Sequence, residues 1–150
     1  MYTNTFVHHL TRVLVEVMFY AGIVICLAIP FLMPFALPFF GYDTAQSTHY
    51  SLVLLTSGLC TLFILWQLKA IFRTLTGGDP FIPANITCFR KIAVACFLIA
   101  LIYVVKAFVL FSPTAIVFII IFALAGLFCL TLKDVFKQAI AYKDENDWTV

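Results

Sequence analysis

Two ionisable side chains, Glu16 and Lys106, lie inside long apolar stretches of this sequence. Charges in apolar surroundings are costly and often serve proton or ion movement. Proton relays and cation-coupled transport usually need more carboxylates along one path than the single one found here. Glu16 follows Arg12 by four residues, so the pattern predicts an ion pair on one helix face.

Lys106 leaves two interpretations open. Its long aliphatic stem can carry the ammonium group to the end of the apolar segment. Alternatively, the group contacts a ligand, a lipid or a neighbouring helix. A salt bridge with Glu16 is not expected, because the two residues lie near opposite ends of their apolar segments. Lys106 is therefore a candidate polar site within the apolar part of the protein.

The histidines and cysteines show no catalytic or metal-binding pattern. His8 and His9 are adjacent and so point apart, while His49 lies far along the chain. The 5 cysteines are scattered without a CxxC spacing, and a cysteine in an apolar run packs as a small hydrophobic residue. The sequence also lacks HExxH, GxSxG and a glycine-rich phosphate loop. We therefore expect no enzyme activity and no catalytic, cofactor-binding or metal-binding residues.

The composition excludes a water-soluble globular protein. Hydrophobic residues make up 64% of the chain and charged residues 11%, whereas a typical soluble domain is roughly 25% charged. The mean hydropathy is +1.10. A chain of 150 residues cannot hide so much apolar surface from water, but a bilayer acts as the solvent for it. The sequence therefore predicts a single transmembrane domain.

Four apolar runs are long enough to cross a bilayer, which takes roughly 20 helical residues. They cover about residues 13–40, 50–72, 92–111 and 113–132. A polar loop at 73–91 separates the second and third runs, and a polar tail follows at 133–150. The predicted fold is an all-α integral membrane bundle of four transmembrane helices with a C-terminal amphipathic helical extension.

Lysine and arginine residues set the predicted orientation. All 9 of them except Lys106 flank the 73–91 loop, the N-terminal segment or the tail. Cytoplasmic flanks of membrane spans carry an excess of Lys and Arg. We therefore expect a multi-pass protein of the cell membrane with the loop and both termini in the cytoplasm.

The 73–91 loop contains residues that break helices. Gly77 and Gly78 follow the second run, where a helix end often needs a left-handed residue. Asp79 precedes Pro80 and so favours extended backbone. Pro83 suits the first turn of a new helix.

Three prolines, Pro30, Pro34 and Pro38, lie four residues apart in the first run. Each removes a helical N–H donor, so we expect a regular helix over about 14–29 followed by a kinked or unwound stretch. Two interpretations stay open for that stretch. It is an interfacial exit with aromatic anchors, or a broken helix that lines a cavity as in transporters.

Small residues indicate where helices approach closely. Suitable pairs are Ser57 with Thr61, Cys96 with Ala100, Ala21 with Gly22, and Ala125 with Gly126.

A second pattern predicts an amphipathic helix in the tail. Its apolar side consists of Val135, Phe136, Ala139, Ile140 and Tyr142. Such a helix rests in the membrane interface or offers its apolar side to a partner.

Two stretches resemble a known family. The stretch beginning at Gly77 reads GGDPFIPANITCFRKIA and resembles G-[ND]-P-F-x-x-x-N-x-x-x-[LF]-R-x-I of the bacterial domain of unknown function 2975 family. The stretch beginning at Val135 reads VFKQAIAYKDENDWTV and resembles the family's C-terminal signature, in which a VF-x-x-[AG] helix runs into an END-[LW]-[TV]-like end. The four-span layout is similar as well, so the resemblance covers nearly the whole chain.

The resemblance implies a bacterial cytoplasmic membrane protein of regulatory or adaptor type. Members of the family are often encoded beside a small helix-turn-helix transcription regulator, which the loop and tail would hold or control. We expect the lipid bilayer, this regulator and further copies of the chain as partners, without direct nucleic-acid binding. The candidate partner-binding residues are Asp79, Pro80, Phe81, Asn85, Arg90, Phe136, Ile140, Asn146 and Asp147.

Two alternatives remain beside this interpretation. The first is that Asp79 and Asn85 cap the helix ends at the loop, while Arg90 anchors the membrane interface. The second concerns the whole protein, which would be a small transporter or efflux subunit that uses Lys106 and the proline-broken first span.

Overall fold

The structure, a computed structural model, describes residues 2–148, with side chains from Phe6 onward. Its four helices are α1 (Tyr2–Phe39), α2 (Ser47–Thr76), α3 (Pro83–Val109) and α4 (Pro113–Trp148), with a 3₁₀ turn at Thr44–Gln46. Residues 2–148 contain no β-strand. All four helices are long and apolar enough to cross a membrane, which confirms the predicted all-α membrane bundle. Met1, Thr149 and Val150, which the predicted domain includes, lie outside the described residues.

The α2–α3 connection forms where the sequence predicts it. Gly77 follows the last residue of α2, and Gly78 takes a φ of +93°, a left-handed conformation that a side chain would strain. Pro83 begins α3, where its missing N–H would have no helical partner. Helical residues extend into both ends of the predicted loop, so only residues 77–82 are non-helical.

The first helix is not unwound at the stretch that the sequence predicts to be kinked or unwound. α1 runs from Tyr2 to Phe39 without interruption, and Pro30, Pro34 and Pro38 lie inside it. Each proline removes one N–H donor, but the residues between successive prolines keep theirs and hold the helix together. All three prolines are exposed, so their rings face away from the other helices.

The helices pack against each other in chain order. α1 contacts α2, α2 contacts α3, and α3 contacts α4. Within residues 2–148, no Cα atom of α1 lies within 8 Å of one in α4, so the bundle is open between its first and last helices. α3 is the central helix and buries the largest share of its residues.

Two buried clusters along α3 form the core. Their buried members are Ile71, Phe89, Ile92 and Cys96 in one cluster, and Ile99, Tyr103 and Ala115 in the other. Neighbouring helices also approach closely at two of the predicted small residues, Gly22 on α1 and Gly126 on α4. A methyl group added at Gly22 would lie 2.9 Å from Leu62 Cδ2, and one at Gly126 would lie 2.9 Å from the Phe97 ring.

The antiparallel order of the helices gives the bundle two different ends. We call the end with residues 77–82, the start of α1 and the end of α4 the loop end, and the opposite end the turn end. α4 contains 36 residues, a length of about 54 Å, against a hydrocarbon core of about 30 Å. Residues 133–148, called here the α4 extension, therefore continue past the span without a break, which confirms the predicted helical tail.

Candidate functional site

An ion pair ties the 77–82 loop to the α4 extension. Lys143 Nζ donates a hydrogen bond to Asp79 Oδ2 at 2.7 Å, and both side chains are about half exposed. This hydrogen bond lowers the pKa of Asp79 below its ordinary value and raises the pKa of Lys143. The charges of Asp147 and Asp144 raise the pKa of Lys143 further. The pair is thus charged on both sides near neutral pH, which strengthens its hydrogen bond.

An aromatic cluster joins the same two segments. The ring centroid of Phe136, on the α4 extension, lies 5.3 Å from that of Phe81 in the loop and 4.9 Å from that of Phe89 on α3. Both distances fall in the range in which aromatic rings attract one another. Phe136 also packs against the buried cluster around Phe89. The loop and the extension therefore share one surface, called here the loop-end surface (residues 77–82 and 133–148).

Asn85 closes the loop from inside. Its side chain is 1% exposed, and Nδ2 donates hydrogen bonds to Thr74 Oγ1 at 2.7 Å and to the Pro80 carbonyl at 2.6 Å. The interpretation that Asn85 caps a helix end is wrong, because Ile82 occupies the N-cap position of α3. Asn85 lies in the first turn of α3 and joins that helix to α2 and to the loop.

The other predicted partner-binding residues fall into two groups. Ile140 is half-buried one turn beyond Phe136, and Asn146 and Asp147 are exposed near the end of the α4 extension. Arg90 is exposed on α3, where it lines a cavity between α2 and α3. The candidates in the loop and extension are thus brought together, whereas Arg90 belongs to a different feature.

Sequence reasoning missed Lys143 as a site residue. A signal was available, because Phe136, Ile140 and Lys143 follow one another at helical spacings of four and three and therefore share one helix face. The missed contact depends on Asp79, which lies 64 positions away in the sequence. No local pattern predicts a pair at that separation.

The predicted apolar side of the tail is divided in the structure. Phe136 and Ile140 are half-buried, whereas Val135 is 51% and Tyr142 69% exposed. Val135 and Tyr142 are seven positions apart, or about two helical turns, so they form an exposed apolar stripe beside the packed face.

At the loop end, Arg12 and Glu16 form the predicted ion pair, with Arg12 Nε 3.9 Å from Glu16 Oε1. Both line a small cleft with Lys69 and Arg73 of α2. Lys69 Nζ also lies 4.9 Å from the centre of the Phe19 ring, a cation–π contact between α2 and α1. Three cations therefore gather where α1 and α2 meet.

Lys106 lies at the turn end and contacts aromatic rings. Its Nζ is 5.1 Å from the centre of the Tyr50 ring on α2 and 5.8 Å from that of Tyr103 on its own helix. Of the interpretations left open, the structure shows the interhelical contact. Lys106 also borders two cavities, of about 350 Å³ and about 240 Å³. The buried hydroxyl of Ser112, which has no hydrogen-bond partner among the described residues, belongs to the residues that line the smaller one.

Among residues 2–148, no group of three or more His, Cys, Asp or Glu side chains is placed to hold a metal ion. The chain has no match among the curated proteins or the solved structures. A comparison with protein families, in contrast, matches residues 5–150 to the family described as protein of unknown function DUF2975. Since this match spans essentially the whole chain, including both stretches that form the loop-end surface, the protein belongs to the DUF2975 family.

Proposed function

We propose that this chain is a regulatory or adaptor protein of a bacterial cytoplasmic membrane that holds a small helix-turn-helix transcription regulator on its loop-end surface. The observation that carries the proposal is the joining of two distant segments by the Asp79–Lys143 ion pair and by Phe136. A surface that is already assembled loses less conformational entropy when a partner binds. The proposed role is not enzymatic.

The charge distribution supports a cytoplasmic loop end. Arg12, Lys69 and Arg73 gather at the loop end of α1 and α2, and the extension adds Lys133, Lys137 and Lys143. Such an excess is typical of the cytoplasmic side of a membrane protein. The regulator implied by the family resemblance is itself cytoplasmic, so the surface and its partner share one compartment.

The exposed stripe of Val135 and Tyr142 supplies the apolar part of the proposed contact. A helix that presents such a stripe binds in an apolar groove of its partner. Phe136 and Lys143 have a different role, because their contacts hold the α4 extension against the 77–82 loop. Phe81, which is 40% exposed beside Phe136, extends the same contact into the loop.

The test is retention of the regulator encoded beside this chain in its native host. Full-length protein is purified in detergent with the regulator co-expressed, as the native sequence and as Val135→Ser with Tyr142→Ser. We expect the native chain to retain the regulator and the variant to lose about tenfold in affinity, equivalent to about 1.4 kcal/mol.

A control variant carries Lys137→Gln and Asp144→Asn. These two exposed residues lie on the opposite side of the extension, and their combined replacement leaves the net charge unchanged. We expect the control to retain the regulator. The proposal fails if no neighbouring helix-turn-helix protein exists or is retained, or if the stripe variant binds as well as the control.

The alternative of a small transporter or efflux subunit has one remaining support. Its proline-broken first span is absent, since α1 is continuous. Lys106, however, borders two cavities at the turn end. A transport role predicts that Lys106→Leu abolishes substrate movement in vesicles and leaves regulator binding unchanged. Equal transport by native and variant chains would count against it.

A further inference from the structure

An open groove lies between α2 and α3 on the side of the loop end. Its volume is about 550 Å³. The residues that characterise it are Leu59 and Phe63 on α2 and Arg90, Lys91, Val94 and Leu98 on α3. Arg90 and Lys91 precede Val94 and Leu98 along α3, so the two cations lie nearer the loop, where Thr87 also lines the groove, and the apolar residues lie nearer the middle of the bundle.

Along the α2–α3 interface, further open space lies beyond the groove toward the turn end. A second cavity, of about 350 Å³, is lined by Leu52 and Thr56 of α2 and by Leu101 of α3. Leu52, Thr56, Leu59 and Phe63 follow one another at intervals of three or four, which keeps them on one face of α2. Leu98 and Leu101 continue the corresponding face of α3. The two cavities therefore lie one after the other along the same side of the α2–α3 interface.

The charges at the mouth of the groove are not compensated by the protein. Arg90 and Lys91 are exposed, and neither forms an ion pair with any carboxylate in the described range 2–148. Below them, Leu59 is 60%, Val94 53% and Leu98 48% exposed. The occupant that matches this arrangement has an anionic head and an apolar tail.

The depth of the groove fits one leaflet of a bilayer. From Lys91 to Leu101 the helix rises about 15 Å, which is half of a hydrocarbon core of about 30 Å. An acyl chain whose headgroup lies beside the two cations would thus reach the middle of the membrane along this face.

We propose that the α2–α3 groove binds an anionic phospholipid from the leaflet at the loop end. The phosphate lies against Arg90 and Lys91, and one acyl chain follows Leu59, Val94 and Leu98. Basic residues beside membrane helices attract anionic headgroups in this way. An apolar helix from a second copy would fill the groove but leave both cations without a counter-charge. The lipid site does not depend on the proposed regulator.

The experiment measures lipid binding to the full-length chain in detergent by native mass spectrometry. Phosphatidylglycerol and phosphatidylcholine with identical acyl chains are compared, so that only the headgroup charge differs. We expect the native chain to bind phosphatidylglycerol about tenfold more tightly. Arg90→Gln with Lys91→Gln should remove this preference. Arg73→Gln with Lys137→Gln, which removes two exposed cations of the same end outside the groove, should keep it.

Two further measurements separate the groove from general charge attraction. Leu98→Trp should narrow the groove and weaken the binding of both lipids. Glycerol phosphate, which carries the headgroup phosphate without acyl chains, should bind too weakly to detect. Binding of glycerol phosphate as tight as that of the lipid would mean that the groove takes no acyl chain, and would overturn the proposal.

Several other results would also overturn it. These are equal affinity of the native chain for both lipids, a loss of preference in the control as large as in the groove variant, or a dimer that covers the groove and excludes lipid. Circular dichroism and gel filtration show whether Arg90→Gln with Lys91→Gln folds. If it does not, lipid binding by the single variants Lys91→Gln and Leu98→Trp tests the proposal instead. Lipid binding that is unchanged in both would then exclude the site.

Discussion

Asn85 connects three parts of the loop end through one side-chain amide. The residue belongs to the first turn of α3, and its Nδ2 donates to Thr74 on α2 and to the Pro80 carbonyl in the loop. Because the side chain is 1% exposed, water cannot replace these bonds when they are removed. Asn85 therefore stabilises the shape of the loop rather than offering a contact to a partner.

The first prediction concerns this buried amide. Asn85→Ala should lower the free energy of unfolding by about 1–3 kcal/mol, because the half-buried Thr74 hydroxyl and Pro80 carbonyl lose the donor that the buried Asn85 amide supplies. Thr87→Ala is the matched control, since Thr87 is exposed and its hydroxyl bonds only the Pro83 carbonyl of its own helix. Thermal unfolding of the purified chain measures both, and equal losses would contradict the assigned role.

The second prediction concerns pH and the Asp79–Lys143 pair. The pKa of Asp79 is lowered, so its contribution is present above its ordinary pKa of about 3.9 and is lost as the pH falls through the lowered pKa. The pKa of Lys143 is raised, so its contribution is present below about 10.4 and is lost as the pH rises through the raised pKa. The loop should therefore stay attached to the extension between about pH 3.9 and 10.4, and it should loosen only as the pH falls through the lowered pKa of Asp79 or rises through the raised pKa of Lys143.

Spin labels at Thr76 and Glu145 measure this attachment as the width of their distance distribution. Asp79→Asn should broaden the distribution at neutral pH, and exchange of the two charges by Asp79→Lys with Lys143→Asp should narrow it again. An unchanged width in Asp79→Asn would show that the ion pair does not hold the loop.

At the scale of elements, the helix contacts depend on which residue faces a neighbour. Gly58 on α2 illustrates this, because a methyl group there would lie 2.7 Å from Cys26 Sγ on α1. Gly22 and Gly126 permit comparable approach, but the nearest atoms there belong to Leu62 and Phe97 side chains. Among residues 2–148, α1 packs mainly against α2. A side chain at position 58 therefore has a large effect on the distance between these two helices.

The third prediction tests that interface. Gly58→Ala should destabilise the chain by about 1–3 kcal/mol through overpacking, or shift α1 away from α2. Cys26→Ala combined with Gly58→Ala should recover most of the loss, because the sulfur that meets the new methyl group is gone. Cys26→Ala alone is the control. Thermal unfolding of the native chain, the two single variants and the double variant gives the coupling free energy between positions 26 and 58. A coupling free energy of zero would show that the strain at Gly58→Ala does not come from Cys26.

The prolines of α1 show that a helix can continue through residues that locally disfavour it. Pro30, Pro34 and Pro38 each delete a donor, yet the helix continues. In a membrane a helix is the conformation that leaves the fewest backbone groups without partners, so unwinding would cost more donors and acceptors than the prolines remove. Local propensity alone therefore predicts the wrong outcome here.

For the whole molecule, four antiparallel helices place the start of α1, the 77–82 loop and the α4 extension at one end. The open order, with α3 at its centre, leaves the α2–α3 groove facing outward. Regulator binding and lipid binding are thus proposed on neighbouring parts of the same end of the protein.

The fourth prediction tests this arrangement in intact cells. Single cysteines placed at Pro80 and Glu145 in a cysteine-free chain should react with a membrane-permeant maleimide and resist an impermeant one. A cysteine at Asp43, in the connection between α1 and α2, should react with both. Opposite behaviour of positions 80 and 145 would contradict the four-crossing topology, and impermeant labelling of both would reverse the proposed orientation.

The sequence by itself determined the class of the protein, the number of its membrane helices and several of their ends. These properties follow from local chemistry: apolar runs long enough for a bilayer, a left-handed Gly78, and Pro83 in a first helical turn. The helical tail and the Arg12–Glu16 pair were equally accessible, because helical spacing decides both.

Only the tertiary structure decided how the distant segments meet. The Asp79–Lys143 pair, the position of Phe136 between two rings and the buried amide of Asn85 all depend on the way α4 and α2 pack against α3. Side chains this far apart in sequence are brought together by packing of whole helices, and the energy of that packing is spread over many weak contacts. No short pattern in the chain carries that information.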